Sequence, residues 1–229
     1  MAATLSVLAT PIGNLGDVSE RALAVLRACD VVLCEDTRVT GKLLTHFAIK
    51  KPLVSYHAHS GHAKDAKIGA LVEEGKHIVL VSDAGTPAVS DPGAHLIASL
   101  RANWGDALRI ETIPGPNAVA AALAIAGLPA DQYLFLGFPP HKKGRKTFFD
   151  TVAASVFTTV FYESPHRALK ALEALAERCE PARTVVVCRE LTKLHEEVVV
   201  GSASEVQAHF AEYPDHVRGE FVIIVEAKR

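Results

Sequence analysis

Apolar residues in this chain fall into short β-branched runs, separated by stretches in which they recur three and four positions apart. LSVLAT, VVLC, LVSYH, HIVLVS and LRIETI read as strands, with helices expected over 20–27, 39–47, 65–73 and 93–102. This rhythm of strand and helical crossover predicts a parallel sheet with helices on its faces. A second series opens after an alanine-rich helix over 117–126. It runs YLFLGF, a helix over 146–154, TTVFYE, a helix over 166–178, TVVVCRE, EEVVVG, a helix over 204–213, and EFVIIVEA. Its short adjacent strands predict a mixed sheet. The expected fold class is α/β, with an N-terminal αβα domain over 1–115 and a C-terminal αβα domain over 116–229.

The length of 229 residues suits two such layers, and 49% hydrophobic with 22% charged residues is the composition of a folded chain. The apolar runs are strand-length, far below the roughly 20 residues of a membrane span. The N-terminus MAATLSVLATPIG reads as a first strand and not as a signal peptide, so a cytoplasmic protein is expected. Cys29, Cys34, Cys179 and Cys188 form no CxxC pair and are expected to be reduced. A formal charge of −2 gives no global attraction for nucleic acid, so any RNA contact must come from a local basic patch.

Three turn-rich loops follow predicted strands of the first layer: TPIGNLGD, SDAGTPAVSDPG and PGPN. The carboxyl edge of an open parallel sheet is where ligands bind. Pro11, Gly13, Gly85, Pro87, Gly115 and Pro116 would give a stiff pocket lined by backbone, and Asp83 and Asp91 could accept hydrogen bonds from ribose hydroxyls or an amino group. Any one of these loops also makes sense as an ordinary turn or helix cap. Two aspartates, two glycines and two prolines in SDAGTPAVSDPG exceed what a turn needs, and neither GxxxxGK nor GxGxxG is present.

Two charged clusters close predicted strands. CEDTR contributes Glu35, Asp36 and Arg38, and CRELTKLHEE contributes Glu190 and Lys193. They could serve as base, hydroxyl-orienting or phosphate-holding groups, or form a surface ion-pair network. HKKGRK, with Lys142, Lys143, Arg145 and Lys146, could grip RNA phosphates, extended by Arg167, or be a solvated loop. His57, His59 and His62 invite a metal reading, but sequence supplies neither a third ligand geometry nor outer partners. A cleft-lining loop is preferred, and no metal site is expected.

ATPIGNLGD, CEDTRVTGKLL, SYHAHS, SDAGTPAVSDPG, PGPNAVAAALAIAGLP, FYESPHR, CRELTKLHEE and GEFVIIVE, in that order, resemble the ribosomal RNA small subunit methyltransferase I family. That family belongs to the tetrapyrrole-methylase fold, in which two αβα domains hold S-adenosylmethionine between them. The resemblance implies 2′-O-methylation of a cytidine in the decoding region of small-subunit (16S) rRNA, presented within the 30S subunit, by a homodimer. It implies that Pro11, Asp83, Gly85 and Thr86 face the methionine end and ribose of the cofactor, with Gly13 and Ala84 also among its contacts. Asn117, Ala118, Tyr162 and Glu163 would face the adenosine. It also raises Glu190, Lys193, Asp36 and Arg38 to candidate catalytic residues. Members commonly carry a further small helical segment after the position where this sequence reads GEFVIIVEAKR.

Two kinds of alternative compete. A methyltransferase of the same fold could act on a precorrin-type tetrapyrrole or a diphthine-type modified histidine, neither of which needs the HKKGRK cations. A non-catalytic RNA-binding ribosome-assembly factor could retain the pocket. A nicotinamide oxidoreductase is disfavoured, because PIGNLGD lacks the glycine spacing that a pyrophosphate needs.

Overall fold

A computed structural model describes residues 3–57 and 62–228, with the side chains of 62–65 outside the description. The chain divides into two compact units, residues 1–117 and 118–229. The division falls two residues beyond the position expected from sequence.

The first unit holds five parallel strands in the order β3-β2-β4-β1-β5. They are β1 (Ala3–Leu8), β2 (Val31–Cys34), β3 (Leu53–Ser55), β4 (His77–Leu80) and β5 (Leu108–Ile113). Four helices connect them: α1 (Glu20–Ala28), α2 (Thr37–His46), α3 (His62–Glu73) and α4 (Ala94–Trp104). Alternation along the strands sorts the core into two layers. Val31, Leu33, Ile78 and Leu80 point to one face with Ile68, Val72, Leu96 and Leu100 of α3 and α4. Val32, Cys34, Val79 and Val81 point to the other, with Leu26 and Leu44 of α1 and α2. Such near-continuous apolar strands are what a sheet buried on both faces requires.

That sorting positions the site. β1 and β4 are neighbours, yet the helices that follow them pack on opposite faces of the sheet. The carboxyl edge between such strands is the topological switch point of an open α/β sheet, where the departing chains leave a crevice.

The second unit is mixed, in the order β6-β7-β10-β8-β9, with only the β6–β7 pair parallel. Its strands are β6 (Tyr133–Phe135), β7 (Thr158–Glu163), β8 (Thr184–Arg189), β9 (Glu197–Ser202) and β10 (Phe221–Val225). Its helices are α5 (Ala118–Ala126), α6 (Arg145–Ala154), α7 (Pro165–Ala176) and α8 (Ala203–Glu212). Phe149, Phe161, Leu172, Leu175, Val187, Phe210 and Ile223 fill the layer beneath α6, α7 and α8. The alanine-rich α5 lies against β8 and β10. A Ser202 and Glu205 capping box starts α8, and Pro165 occupies its favoured place in the first turn of α7.

All four cysteines are free, and burial pushes the Cys29 and Cys188 thiols up to about 11, which keeps them protonated and inert. Among the described residues no helix is long and apolar enough to cross a membrane.

Candidate functional site

In the first unit the three glycine- and proline-rich loops converge. Thr10 and Gly85 form a two-way backbone bridge, Thr10 N–H donating to Gly85 O at 2.9 Å and Gly85 N–H to Thr10 O at 3.1 Å. Thr86 Oγ1 donates to Pro116 O at 3.1 Å, tying the third loop to the second. Gly85 has φ +79, and a Cβ there would sit 3.4 Å from Ile12. A Cβ on Gly115 would meet that of Ala9 at 3.2 Å. Gly85 is therefore required by its left-handed backbone, and Gly115 by its close approach to Ala9. Pro11, Gly13, Asp83, Ala84, Gly85 and Thr86 lie on the joined loops, with Gly13 and Ala84 exposed and Pro11 buried.

Four carboxylates collect at the ends of β2 and β4. Asp83 Oδ1 accepts the Asp36 backbone N–H at 3.0 Å, binding the two strand ends together. Burial, then the negative charge of Asp83, pushes the Glu35 carboxyl up. Burial pushes Asp91 from 3.8 up to about 6, against a Ser82 hydrogen bond and with the help of the Glu35 and Asp83 charges. Asp36 goes the other way. Its carboxylate caps α2 by accepting the Arg38 N–H at 2.8 Å, and also accepts from the Arg38 guanidinium at 2.6 Å. Those hydrogen bonds hold its carboxyl down at about 2, and the Arg38 side chain is 85% exposed. Asp36 is thus engaged as cap and ion-pair partner.

The raised Asp91 carboxyl makes the stability of the fold depend on pH. Because folding raises this carboxyl, the native state binds the proton more readily than the unfolded chain does. Stability is then lost as pH rises from about 4 to about 6. Asp91→Asn removes this slope. The variant is expected to match wild type near pH 4 and to be more stable at pH 7 by about 1 kcal/mol, once partial exposure is discounted. Chemical denaturation at the two pH values checks this, and parallel pH curves for the two proteins would refute it.

In the second unit the candidates occupy the ends of β7 and β8. The side chain of Glu163 is fully buried and receives two guanidiniums, Arg145 at 3.0 Å and Arg167 at 2.8 Å. It also accepts the Ser164 N–H at 2.8 Å. Arg145 and Arg167 are under one-fifth exposed, Arg145 stacking its guanidinium over Phe149. Sequence reading groups both arginines with the exposed RNA-facing cations, whereas here they turn inward to a buried carboxylate. Lys142, Lys143 and Lys146 are the exposed cations of that segment. Tyr162 packs edge-on against Phe135 at 5.1 Å and beside Phe138 at 5.2 Å.

Glu190 and Lys193 do come together. Lys193 Nζ donates to Glu190 Oε1 at 2.7 Å and to Glu220 Oε2 at 3.0 Å, and the Glu220 N–H donates to Glu190 Oε1 at 3.0 Å. Burial opposes the charge on Glu190, but the hydrogen bonds from Lys193 and Glu220 outweigh it and hold the carboxyl below its usual range. Burial likewise opposes the Lys193 charge, and its two carboxylate partners outweigh it and push that amine up. Lys193 is therefore an ammonium, and of the two only Glu190 can accept a proton.

Backbone strain singles out the same places. Five non-glycine residues among those described have positive φ, and four of them are Ala88 and Ser90 in one loop and Glu190 and Thr192 in the other. Each costs of order 1–3 kcal/mol, and such strain concentrates at functional sites. The Thr192 hydroxyl is also buried with no hydrogen-bond partner among the described residues. Gly219 completes the arrangement, since a Cβ there would overlap the Glu190 carboxylate. Sequence reading passed over Gly219 and Thr192. The only hint was a glycine beside an acid in RGEF.

His57 lies just beyond β3, while His59 lies outside the described residues, as does the side chain of His62. Asp36 and Arg38 belong to the first unit, and Glu190 and Lys193 to the second.

A parallel layer with glycine-tight loops on its carboxyl edge, followed by a mixed layer, is the architecture of the tetrapyrrole methylases. The family model described as Tetrapyrrole (Corrin/Porphyrin) Methylases matches residues 4–207. The methyltransferase CobJ superposes with a TM-score of 0.71 at 21% identity, covering 99% of this chain and 96% of that one. Cobalt precorrin-4 methyltransferase gives 0.69 at 20%, covering 97% and 94%. These likenesses define the fold. Ribosomal RNA small subunit methyltransferase I of Escherichia coli O157:H7 is 42% identical over 226 residues, 98% of this chain and 78% of that protein. The protein of the same name from Thermotoga maritima is 38% identical over 224 residues, 98% of each. The chain belongs to the ribosomal RNA small subunit methyltransferase I family.

Proposed function

We propose that this protein transfers a methyl group from S-adenosylmethionine to the 2′-hydroxyl of a cytidine in the decoding region of small-subunit (16S) rRNA. The observation that carries the proposal is identity near 40%, over almost the whole chain, to proteins named for that rRNA methyltransferase. We further assign the reaction to the cytoplasm, to rRNA held within the 30S subunit, and to a homodimer.

The residues suit the implied donor. The loops that carry Gly85 and Gly115 are tied together by hydrogen bonds, and Glu35, Asp83 and Asp91 gather negative charge at one sheet edge. That charge favours a ligand carrying positive sulfur and ammonium groups. S-adenosylmethionine, when bound, supplies an electrophilic methyl carbon on a positively charged sulfur. Pro11, Gly13, Asp83, Ala84, Gly85 and Thr86 would hold its methionine end and ribose, and Asn117, Ala118, Tyr162 and the Glu163 backbone its adenosine.

Glu190 would accept the proton of the ribose hydroxyl as that oxygen takes the methyl carbon and the carbon–sulfur bond breaks, leaving a neutral thioether. Lys193 and Glu220 fix the carboxylate for this purpose. Asp36 and Arg38 would orient the substrate, Arg38 through its exposed guanidinium. The exposed Lys142, Lys143 and Lys146 would grip phosphates, with Arg145 and Arg167 shaping the turns that present them.

Incubation with radiolabelled donor and small subunits from cells lacking the gene tests the whole reading. Label is expected in rRNA, at a single nucleotide that resists alkaline cleavage on its 3′ side. Label in protein or in a tetrapyrrole acceptor instead would overturn it. The cation segment has its own test. Reversal of Lys142, Lys143 and Lys146 to glutamate should weaken subunit binding and flatten the slope of log affinity against log salt by about two units, with donor affinity retained. An unchanged salt slope would remove that segment from the interface.

A further inference from the structure

Outside the candidate catalytic loops, three side chains from successive elements of the second unit converge on one point. Glu197 opens β9, His209 sits in the last turn of α8, and His216 belongs to the 3-10 turn that follows, Pro214–His216. The Nε2 of His209 is 2.8 Å from Glu197 Oε1, and the Nδ1 of His216 is 3.0 Å from each carboxylate oxygen. All three ligand atoms lie within 4.8 Å of one another, and among the described residues no other group of three or more histidines, cysteines or acids is so arranged.

We infer that Glu197, His209 and His216 form a binding site for a divalent transition metal of the zinc class. Two imidazoles and one carboxylate are a recurrent zinc donor set, completed by water at the fourth position. A tetrahedral ion with bonds of 2.0–2.1 Å needs its ligand atoms about 3.3 Å apart, near the 2.8 and 3.0 Å between Glu197 Oε1 and the two nitrogens and within the 4.8 Å that encloses all three atoms. Water has access, because the histidine side chains are 31% and 44% exposed. Imidazole nitrogen disfavours magnesium and calcium, which take oxygen ligands.

A cation faces the site. Arg189 Nη1 donates to Glu197 Oε2 at 3.2 Å, and the same guanidinium donates to the carbonyls of Arg218 and His195. Arg189 thus fixes the carboxylate through Oε2, the part an outer hydrogen-bond partner plays in a metal site. Tyr213 packs beside both imidazole rings, at 5.0 and 5.5 Å, and fixes their planes. With a metal bound, β9, α8 and the 3-10 turn would be clipped to one another beside β8, the strand that Glu190 follows.

The test uses the full, tag-free chain. Equilibrium dialysis against zinc should load about one ion per chain, competed by cobalt with the intense visible bands of a four-coordinate site and not by magnesium. His209→Ala and His216→Ala should each weaken zinc binding by more than about tenfold, since loss of even an outer partner costs that much. Glu197→Gln keeps the side chain's shape and should do the same. It decides the matter if either histidine variant fails to fold. Zinc should raise the thermal midpoint of wild type and leave that of Glu197→Gln unmoved. No zinc uptake by wild type, or uptake equal in wild type and Glu197→Gln, would overturn the assignment and leave a hydrogen-bonded trio only.

Discussion

Glu163→Ala is expected to destabilise the second unit by about 3 to 5 kcal/mol, the usual cost of removing one partner from a buried charge network. The carboxylate is fully buried and serves two guanidiniums that are themselves under one-fifth exposed. Its loss strands two cations beside apolar neighbours such as Phe149, and neither can shed its proton as a lysine would. In a unit of this size the thermal midpoint should drop by more than about 10 °C. A second variant separates the charge effect from simple loss of packing. Replacing Arg145, Glu163 and Arg167 together with apolar residues of similar volume should recover most of the stability, because the desolvation cost of all three charges disappears with them. Urea denaturation of both variants measures the difference. A loss below about 1 kcal/mol for Glu163→Ala would mean that the triad is effectively solvated.

This triad also marks how far sequence reading reaches. Strand and helix positions were legible because period-2 and period-3.6 patterns are local, and TTVFYE emerges as β7 with both ends as read. The mixed order of the second sheet was expected from its short adjacent strands, and its β8–β9 and β7–β10 antiparallel pairs bear this out. The glycine- and proline-rich loops were recognisable because their composition exceeds the needs of a turn. Partners across the fold were not legible. Arg145 sits in a basic motif that looks outward-facing, yet its partner Glu163 closes β7, and the tertiary structure brings it to the carboxylate that Arg167 reaches from only four residues away. The same holds for Glu197, His209 and His216, whose spacings of 12 and 7 match no ligand motif. Left-handed backbone at Glu190 and Thr192 could not be foreseen either, since neither residue type favours it.

That strained loop carries the largest expected effect on activity. Glu190→Gln should slow single-turnover methyl transfer by about 100-fold or more, the low end of what a positioned proton acceptor contributes, with donor affinity unchanged. Glutamine retains the length and a hydrogen-bond acceptor, so the Glu220 N–H keeps a partner and the fold is expected to persist. Gly219→Ala attacks the same carboxylate without touching its charge. The added methyl overlaps the Glu190 side chain, and φ +82 at that position disfavours any side chain. The displaced carboxylate leaves Lys193 with Glu220 alone, so activity should fall while the ionisable groups remain the same. A purely structural role for the pair predicts a different outcome, in which both variants lose stability and activity together and recover activity on cooling. If Glu190→Gln transfers methyl groups at the wild-type rate while Gly219→Ala does not, the carboxylate is dispensable and the loop acts through its shape.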